Sequence, residues 1–238
     1  MAFERSSSFL YLQEVQWLPS QDHIPRWTER GILHGFTGRA SDRPSQTIAL
    51  DQIHSATIIE VPAVVQGRLE PGDGLISQTR GQIVGVKTAD CLPILIVNPR
   101  GVMALHAGWK GLAGDILGEA LRWMQRNHWS WAETEIALGP CISLDAFEVG
   151  PELIDAFQKG PFQMNDFELA LASSKGQGDR WHLDLSTAAL LQMARFKIPP
   201  EKITIVRTCT KREKETWHSF RRDGAHAGRN WSWVQLGP

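Results

Sequence analysis

Cysteine is scarce in this chain: three residues, Cys91, Cys141 and Cys209, in 238. That is too few and too scattered for a disulfide framework, so they read as free thiols or ligands in a reducing compartment. Tyrosine occurs once, against ten Trp. Neither sign of charge is in excess: the net charge is −1, which removes the electrostatic case for a nucleic-acid or membrane-surface partner. No window reaches the roughly 18 apolar residues needed to span a bilayer. The opening Met1-Ala-Phe-Glu-Arg-Ser-Ser-Ser8 lacks the basic region and apolar core of a signal peptide. The expectation is a cytoplasmic protein. Gly-rich phosphate loops of the usual dinucleotide and nucleotide-triphosphate types are missing, as are internal repeats and low-complexity segments. What remains is an ordinary globular composition, 42% hydrophobic and 21% charged, in a chain long enough to bury a sizeable core.

Read in order, residues 1–30 are weakly patterned and form a variable N-terminal segment, with an edge strand expected at Phe9–Leu12. Short strands are expected at 32–37, 47–50, 57–61 and 75–77. The long apolar run Ile83–Val97 reads as strand, with a break or edge at Pro93. After the turn Asn98-Pro-Arg-Gly101 the chain returns over 102–106, so these two strands should be antiparallel neighbours. Apolar residues at 112, 116, 117, 120, 121 and 124 predict a helix over 112–126. Strand 135–138 follows, then a helix opening on Pro151, a strand at 167–172, a helix at 186–196, a strand at 203–206, a polar loop at 220–229 and a closing strand at 231–236. Trp123, Trp129, Trp131, Trp231 and Trp233 are expected at the surface. Helices fall between groups of strands rather than alternating with them. That predicts an α/β (α+β-like) fold, one domain over 1–238 with mixed β-sheets flanked by helices, and not a doubly wound parallel sheet.

Cys91 and His106 stand near a common end of two apolar strands. A thiol and an imidazole so placed suit either a nucleophile–base pair or part of a metal site. His54, at a break between strand segments, would complete two His and one Cys: three protein ligands with one open position, the pattern of a catalytic zinc site. Set against this, a lone Cys in an apolar strand is most often a small buried hydrophobe, and His54 alone is weak evidence. Asp73, in Gly-Asp-Gly, and Asp90 are the carboxylates expected to face the cleft, although turn chemistry explains Asp73 equally well. Lys110 beside the glycines Gly108 and Gly111 at a helix start suits an anion. Arg39, Arg221, Arg222 and Arg229 are the cations on Gly-rich loops. Cys141 and Cys209 read as packing.

Val86-Lys-Thr-Ala-Asp-Cys-Leu-Pro-Ile-Leu95 and Ala104-Leu-His-Ala-Gly-Trp-Lys-Gly111 closely resemble the two most characteristic motifs of the YfiH (laccase-domain) family. Gln52-Ile-His54, Asp73-Gly-Leu-Ile-Ser77, Leu138-Gly-Pro-Cys-Ile142, Phe147-Glu-Val-Gly150, Asp184-Leu185, Thr208-Cys-Thr210, Ser219-Phe-Arg-Arg-Asp-Gly224 and Gly228-Arg229 match others, in order. The resemblance implies one domain with mixed sheets and an active-site layout related to the Cys/His deamidase toxins. It implies zinc (Zn2+) bound by His54, Cys91 and His106. It implies small-molecule substrates: phosphorolysis of adenosine, inosine, guanosine and S-methyl-5'-thioadenosine, and deamination of adenosine. Catalytic roles then fall to Cys91, His106, His54, Asp73 and Asp90, and phosphate binding to Arg39, Lys110, Arg222 and Arg229. Copper polyphenol oxidation, an older label of the family, is disfavoured: such enzymes need several His-rich sites, and here there are eight His and no His-x-His pair. Two alternatives stay open: a metal-independent cysteine amidohydrolase using Cys91 and His106, and a non-catalytic nucleoside-binding protein. One departure stands out. Arg39 and Gln52 are only 13 positions apart, where the family carries a long Gly-rich segment, so one wall of the pocket is expected to be missing or rebuilt.

Overall fold

The run Ile83–Val97 is two strands, β5 (Ile83–Thr88) and β6 (Leu92–Asn98), and they belong to different sheets. The computed structural model describes residues 10–62, 64–65 and 70–237. The break falls at 89–91, where Asp90 takes φ +93°, and not at Pro93. Pro93 sits inside β6 because its carbonyl accepts from the Gly139 N–H at 2.9 Å. Its own missing N–H therefore points the same way, off the ladder with the next strand.

That next strand is β7 (Gly101–Ala107), antiparallel to β6 as the turn predicts, with Pro93 opposite His106. These two form the middle of a seven-stranded mixed sheet. On one side lie β8 (Glu135–Leu138), β12 (Ile203–Val206) and β1 (Gln16–Leu18); on the other, β4 (Gly74–Ser77) and β3 (Ile58–Glu60). Both faces are covered, which is why β6 and β7 read as continuous apolar runs rather than alternating ones. Leu92, Ile94, Ile96, Met103, Leu105 and Ala107 share one core with the helices α3 (Ile116–Arg126), α4 (Pro151–Lys159) and α6 (Leu185–Arg195). Leu95, Val97, Val102 and Ala104 face the other way, into a second core. A three-stranded antiparallel sheet closes that side: β2 (His34–Thr37), β13 (Asn230–Gln235) and β5, with β13 in the centre. Phe36, Val84, Val86 and Val234 supply its inner face. By strand alternation His106 continues the Val102–Ala104 row, toward this second sheet.

A third small sheet pairs β9 (Glu148–Val149), β11 (Trp181–Leu183) and β10 (Ser173–Lys175). The fold class matches expectation: mixed sheets flanked by helices.

Several elements differ from expectation, each for an identifiable reason. The helix expected over 112–126 is two, α2 (Trp109–Ala113) and α3, separated at Gly114-Asp115 with Asp115 at φ +68°. Residues 167–172 form helix α5 (Asp166–Ala172) rather than a strand, started by a full capping box of Asn165 and Glu168. Residues 10–14 are helical, and the edge strand falls at Gln16–Leu18; Phe9 lies outside the described residues. Ile48 makes only an isolated bridge to Val84. The polar loop after Ser219 holds a helical turn, α7 (Phe220–Asp223). Trp129 is buried, not at the surface, and Trp123, Trp131, Trp231 and Trp233 are half-buried.

Candidate functional site

His54, Cys91 and His106 come together from three separate stretches. One side-chain donor atom from each lies within 4.8 Å of the others. The His54 and His106 rings sit edge to face, 4.8 Å between centroids. Each is delivered by a different local device. His106 is at the end of β7, opposite Pro93. Cys91 is the last residue of the kink between β5 and β6. His54 is on a loop, at φ +59°, a conformation a β-carbon makes costly.

Asp73 holds that loop. It has no exposed surface, and its carboxylate accepts the backbone N–H of Ile53 at 3.2 Å, His54 at 3.0 Å and Ser55 at 2.6 Å, and the Ser55 hydroxyl at 2.7 Å. Its fifth donor is His106 Nδ1, at 2.7 Å. One carboxylate thus sets the strained backbone of the first histidine and the tautomer of the second. With Nδ1–H given to Asp73, His106 Nε2 is free for the cluster. A carboxylate behind a ligating imidazole is a recurring arrangement in metal sites.

The electrostatics follow. Burial on its own raises the Cys91 thiol; hydrogen bonds from His106 and His54 outweigh it and bring the pKa down to about 7. Burial would lower His106, but Asp73 and Cys91 raise it to about 9. Asp73 is pushed up by burial and pulled further down, to about 2, by His106 and Ser55. A soft thiolate and two imidazoles, one carboxylate-backed, are a donor set that suits zinc. A β-carbon at Gly108 would stand 3.0 Å from Cys91 Sγ and 3.4 Å from His54 Cδ2. Any larger residue there would press on both members of the cluster.

The other expected residues fare differently. Asp73 and Asp90 do not open to the cleft as free acids; both are buried and saturated. Asp90 accepts from Thr210 Oγ1 at 2.6 Å, Ser219 Oγ at 3.0 Å and the Arg221 N–H at 2.6 Å, tying the C-terminal segments to the kink that carries Cys91. Arg222 is spent: it donates to the carbonyls of Thr210, Lys211 and Trp217 and doubly to Asp223. Arg39 reaches Asp223 at 3.2 Å, and Arg229 bonds the Ala227 and Gly228 carbonyls. Lys110 is exposed on α2, its ammonium 5.6 Å from the Trp109 ring. A helix of five residues there has too short a dipole to add much. Cys141 and Cys209 are buried neighbours across an isolated bridge, and burial raises the Cys141 thiol.

Residues 40–52, the stretch expected to alter one wall of the pocket, meet the edge of β5. Ile48 donates to the Ile83 carbonyl and accepts from Gly85. Gln52 then mimics a strand, its amide donating to the Lys87 carbonyl at 2.7 Å and accepting the Lys87 N–H at 2.8 Å. Sequence reasoning gave Ser55, Gln52 and Thr210 no part in the site. The only available signal was their position inside or beside motifs already noted, since the groups they bond, Asp73, Asp90 and the Lys87 backbone, lie far from them in the chain.

A mixed α/β fold with a carboxylate-backed His–Cys–His cluster at the ends of its central strands defines the class. This chain belongs to the family described as multi-copper polyphenol oxidoreductase laccase, which matches residues 36–237. It is 32% identical over 171 residues to the adenosine deaminase RL5 of an unknown prokaryotic organism, covering 71% of this chain and 64% of that protein. It is 34% identical over 200 residues to the purine nucleoside phosphorylase YfiH of Escherichia coli, covering 83% of this chain and 76% of that one. The chain thus spans somewhat less than two thirds of the first relative's length. Among solved structures, the YfiH protein of Bacillus licheniformis superimposes with a TM-score of 0.78 at 22% identity, covering 92% of this chain and 97% of that one; this is a likeness of fold.

Proposed function

We propose that this protein is a zinc-dependent purine nucleoside enzyme, cleaving adenosine, inosine, guanosine and S-methyl-5'-thioadenosine with phosphate and deaminating adenosine. The observation that carries the reading is the convergence of three donor atoms within 4.8 Å, with Asp73 orienting two of the three ligands. The relatives, a purine nucleoside phosphorylase and an adenosine deaminase by name, supply the substrate class. His54, Cys91 and His106 would hold the metal, which when bound supplies Lewis-acid polarisation at its open position. The chain's own residues do the rest. Asp73 keeps His106 in the Nδ1–H tautomer and His54 in its left-handed conformation. Asp90 fixes the kink that aims Cys91. Arg39, Lys110 and Arg229 are the cations with donors left for phosphate, where charge-assisted bonds offset the anion's desolvation.

Metal analysis of the purified protein beside Cys91→Ala tests the centre: near-stoichiometric zinc in the first and its loss in the second is expected, and equal, negligible zinc in both overturns it. Chromatography of adenosine incubated with and without phosphate separates the reactions. Adenine appearing only with phosphate marks phosphorolysis; inosine in either case marks deamination. Nucleoside binding without any product would leave a binding protein.

One observation favours a second reading. A thiol near pKa 7 between two imidazoles is also a competent nucleophile, and Cys91 with His106 as base would make a metal-independent amidohydrolase. Inactivation by iodoacetamide at full activity in chelator would select it.

A further inference from the structure

A single exposed apolar side chain is ordinary on a protein surface, and Leu10, Leu33 and Val64 are about as exposed as Ile53 and Phe220, or more so; what sets Ile53 and Phe220 apart is the backbone that carries them. Ile53 and Phe220 are both 56% exposed. Each sits on backbone that is tied down on both sides. Ile53 lies between Gln52, bonded twice to Lys87, and His54, and its own N–H is held by Asp73. Phe220 lies between Ser219 and Arg221, both of which donate to Asp90. It is also the first residue of α7, whose N-cap is Ser219, accepting from the Arg222 N–H at 3.2 Å.

The two carboxylates are the same ones that set the cluster. Asp73 backs His106 and His54; Asp90 is the residue before Cys91. Each carboxylate therefore fixes a metal-ligand segment and, on the neighbouring backbone, one exposed apolar side chain. From the reading of a purine nucleoside substrate, on which this rests, we infer that Phe220 is the stacking platform for the purine ring and that Ile53 bounds the base from the His54 side. A purine is flat, apolar on its faces and wet at its edges, so an aromatic ring and a branched aliphatic can grip it without ordering a polar group. An unpacked phenyl ring on a fixed backbone loses little entropy on binding. Specificity for the base over the sugar then resides at these two positions, while the metal ligands and cations act on the reacting end.

The test uses the purified wild-type chain, Phe220→Ala, Phe220→Tyr and Ile53→Ala, with adenosine as substrate and adenine as competitor. Phe220→Ala should raise the KM for adenosine and the inhibition constant of adenine together, by about 10-fold, in the range of base–aromatic stacking. Its kcat should stay within about 3-fold and its zinc content should not change. Phe220→Tyr should restore both constants, and Ile53→Ala should raise both by a smaller factor. An active wild type whose adenosine KM and adenine inhibition are unmoved by Phe220→Ala overturns the platform and leaves the nucleoside reading intact. So does a Phe220→Ala variant that loses kcat alone. A wild type that neither binds nor converts adenosine overturns the nucleoside reading, and the platform with it.

Discussion

Asp73 takes five donors from two stretches of chain, residues 53–55 and His106, while showing no surface to water. Replacing it with Asn leaves the shape and removes the charge, so at least one of those donors loses its partner and His106 loses its counter-charge. Asp73→Asn is expected to cost about 3 kcal/mol in urea unfolding, the scale of a broken buried pair, and to weaken zinc binding roughly 10–100-fold in a chelator competition, the scale of losing a group behind a metal ligand. His34 gives a pH prediction remote from the cluster. Its Nδ1 bonds the Ile32 carbonyl at 2.8 Å, and its Nε2 accepts the Ile24 N–H at 2.7 Å. Burial lowers its pKa in the folded state, although the Ile32 bond opposes that. Below the unfolded value of about 6.5 the unfolded chain takes a proton that the native one refuses. Stability should therefore fall as pH drops from about 6.5 toward the lowered folded value and then level off for this group. Chemical denaturation at several pH values should show that slope, and His34→Gln should flatten it. At this scale the Cys and the two His of the cluster were legible in the sequence. The hydrogen bonding of Asp73 and Asp90 was not, because their donors are backbone N–H groups, which carry no residue type, and side chains far away in the chain, such as His106 for Asp73 and Thr210 and Ser219 for Asp90.

Two short elements decide how the cluster is presented. The kink at 89–91 moves the chain from one sheet to another and leaves Cys91 at the turning point. Gly108 is where β7 hands over to α2. Gly108→Ala would place a β-carbon 3.0 Å from Cys91 Sγ, closer than such contacts normally allow. It is expected to reduce zinc content severely while leaving the far-UV dichroism unchanged. Away from the site, α5 depends on its start signal. Asn165 accepts from the Phe167 and Glu168 N–H groups, both at 3.0 Å, and Glu168 returns to Asn165. Asn165→Ala should cost about 1 kcal/mol in urea unfolding, with no change in metal content. That signal, Asn-x-x-Glu before an apolar run, is present in the sequence, and it outweighs the apolar content of 167–172 that by itself suggests a strand. Pro93 misled for the opposite reason. Its chemistry forbids a ladder donor, but whether the ladder needs that donor depends on which neighbour faces it.

At the scale of the molecule, the large sheet is packed on both sides, by helices on one and the β2–β13–β5 sheet on the other. The cluster sits where the central strands run out beneath the small sheet. Phe36, 1% exposed, is a wedge between the two sheets. Phe36→Ala should lose about 3–5 kcal/mol of stability, the range for an emptied aromatic site, and lower metal affinity as the sheets separate. Thermal unfolding with and without added zinc measures both. The edge of β5 belongs to this scale as well. Residues 40–52 meet the β5 edge through Ile48 and the strand-like amide of Gln52.

By itself the sequence determined the fold class, the family and the three members of the His–Cys–His cluster, because these reside in residue type, apolar period and motif order. Hydrophobic runs mark what must be buried, and a Cys and two His name their own chemistry. Only the tertiary structure decided that Ile83–Val97 divides between two sheets, that Asp73 and Asp90 fix the cluster rather than facing the cleft, and that Arg222 is already committed. Those outcomes depend on distances between residues far apart in the chain. A carboxylate or guanidinium has the same composition whether its hydrogen bonds are filled by its own fold or left for a ligand, and folding alone chooses which.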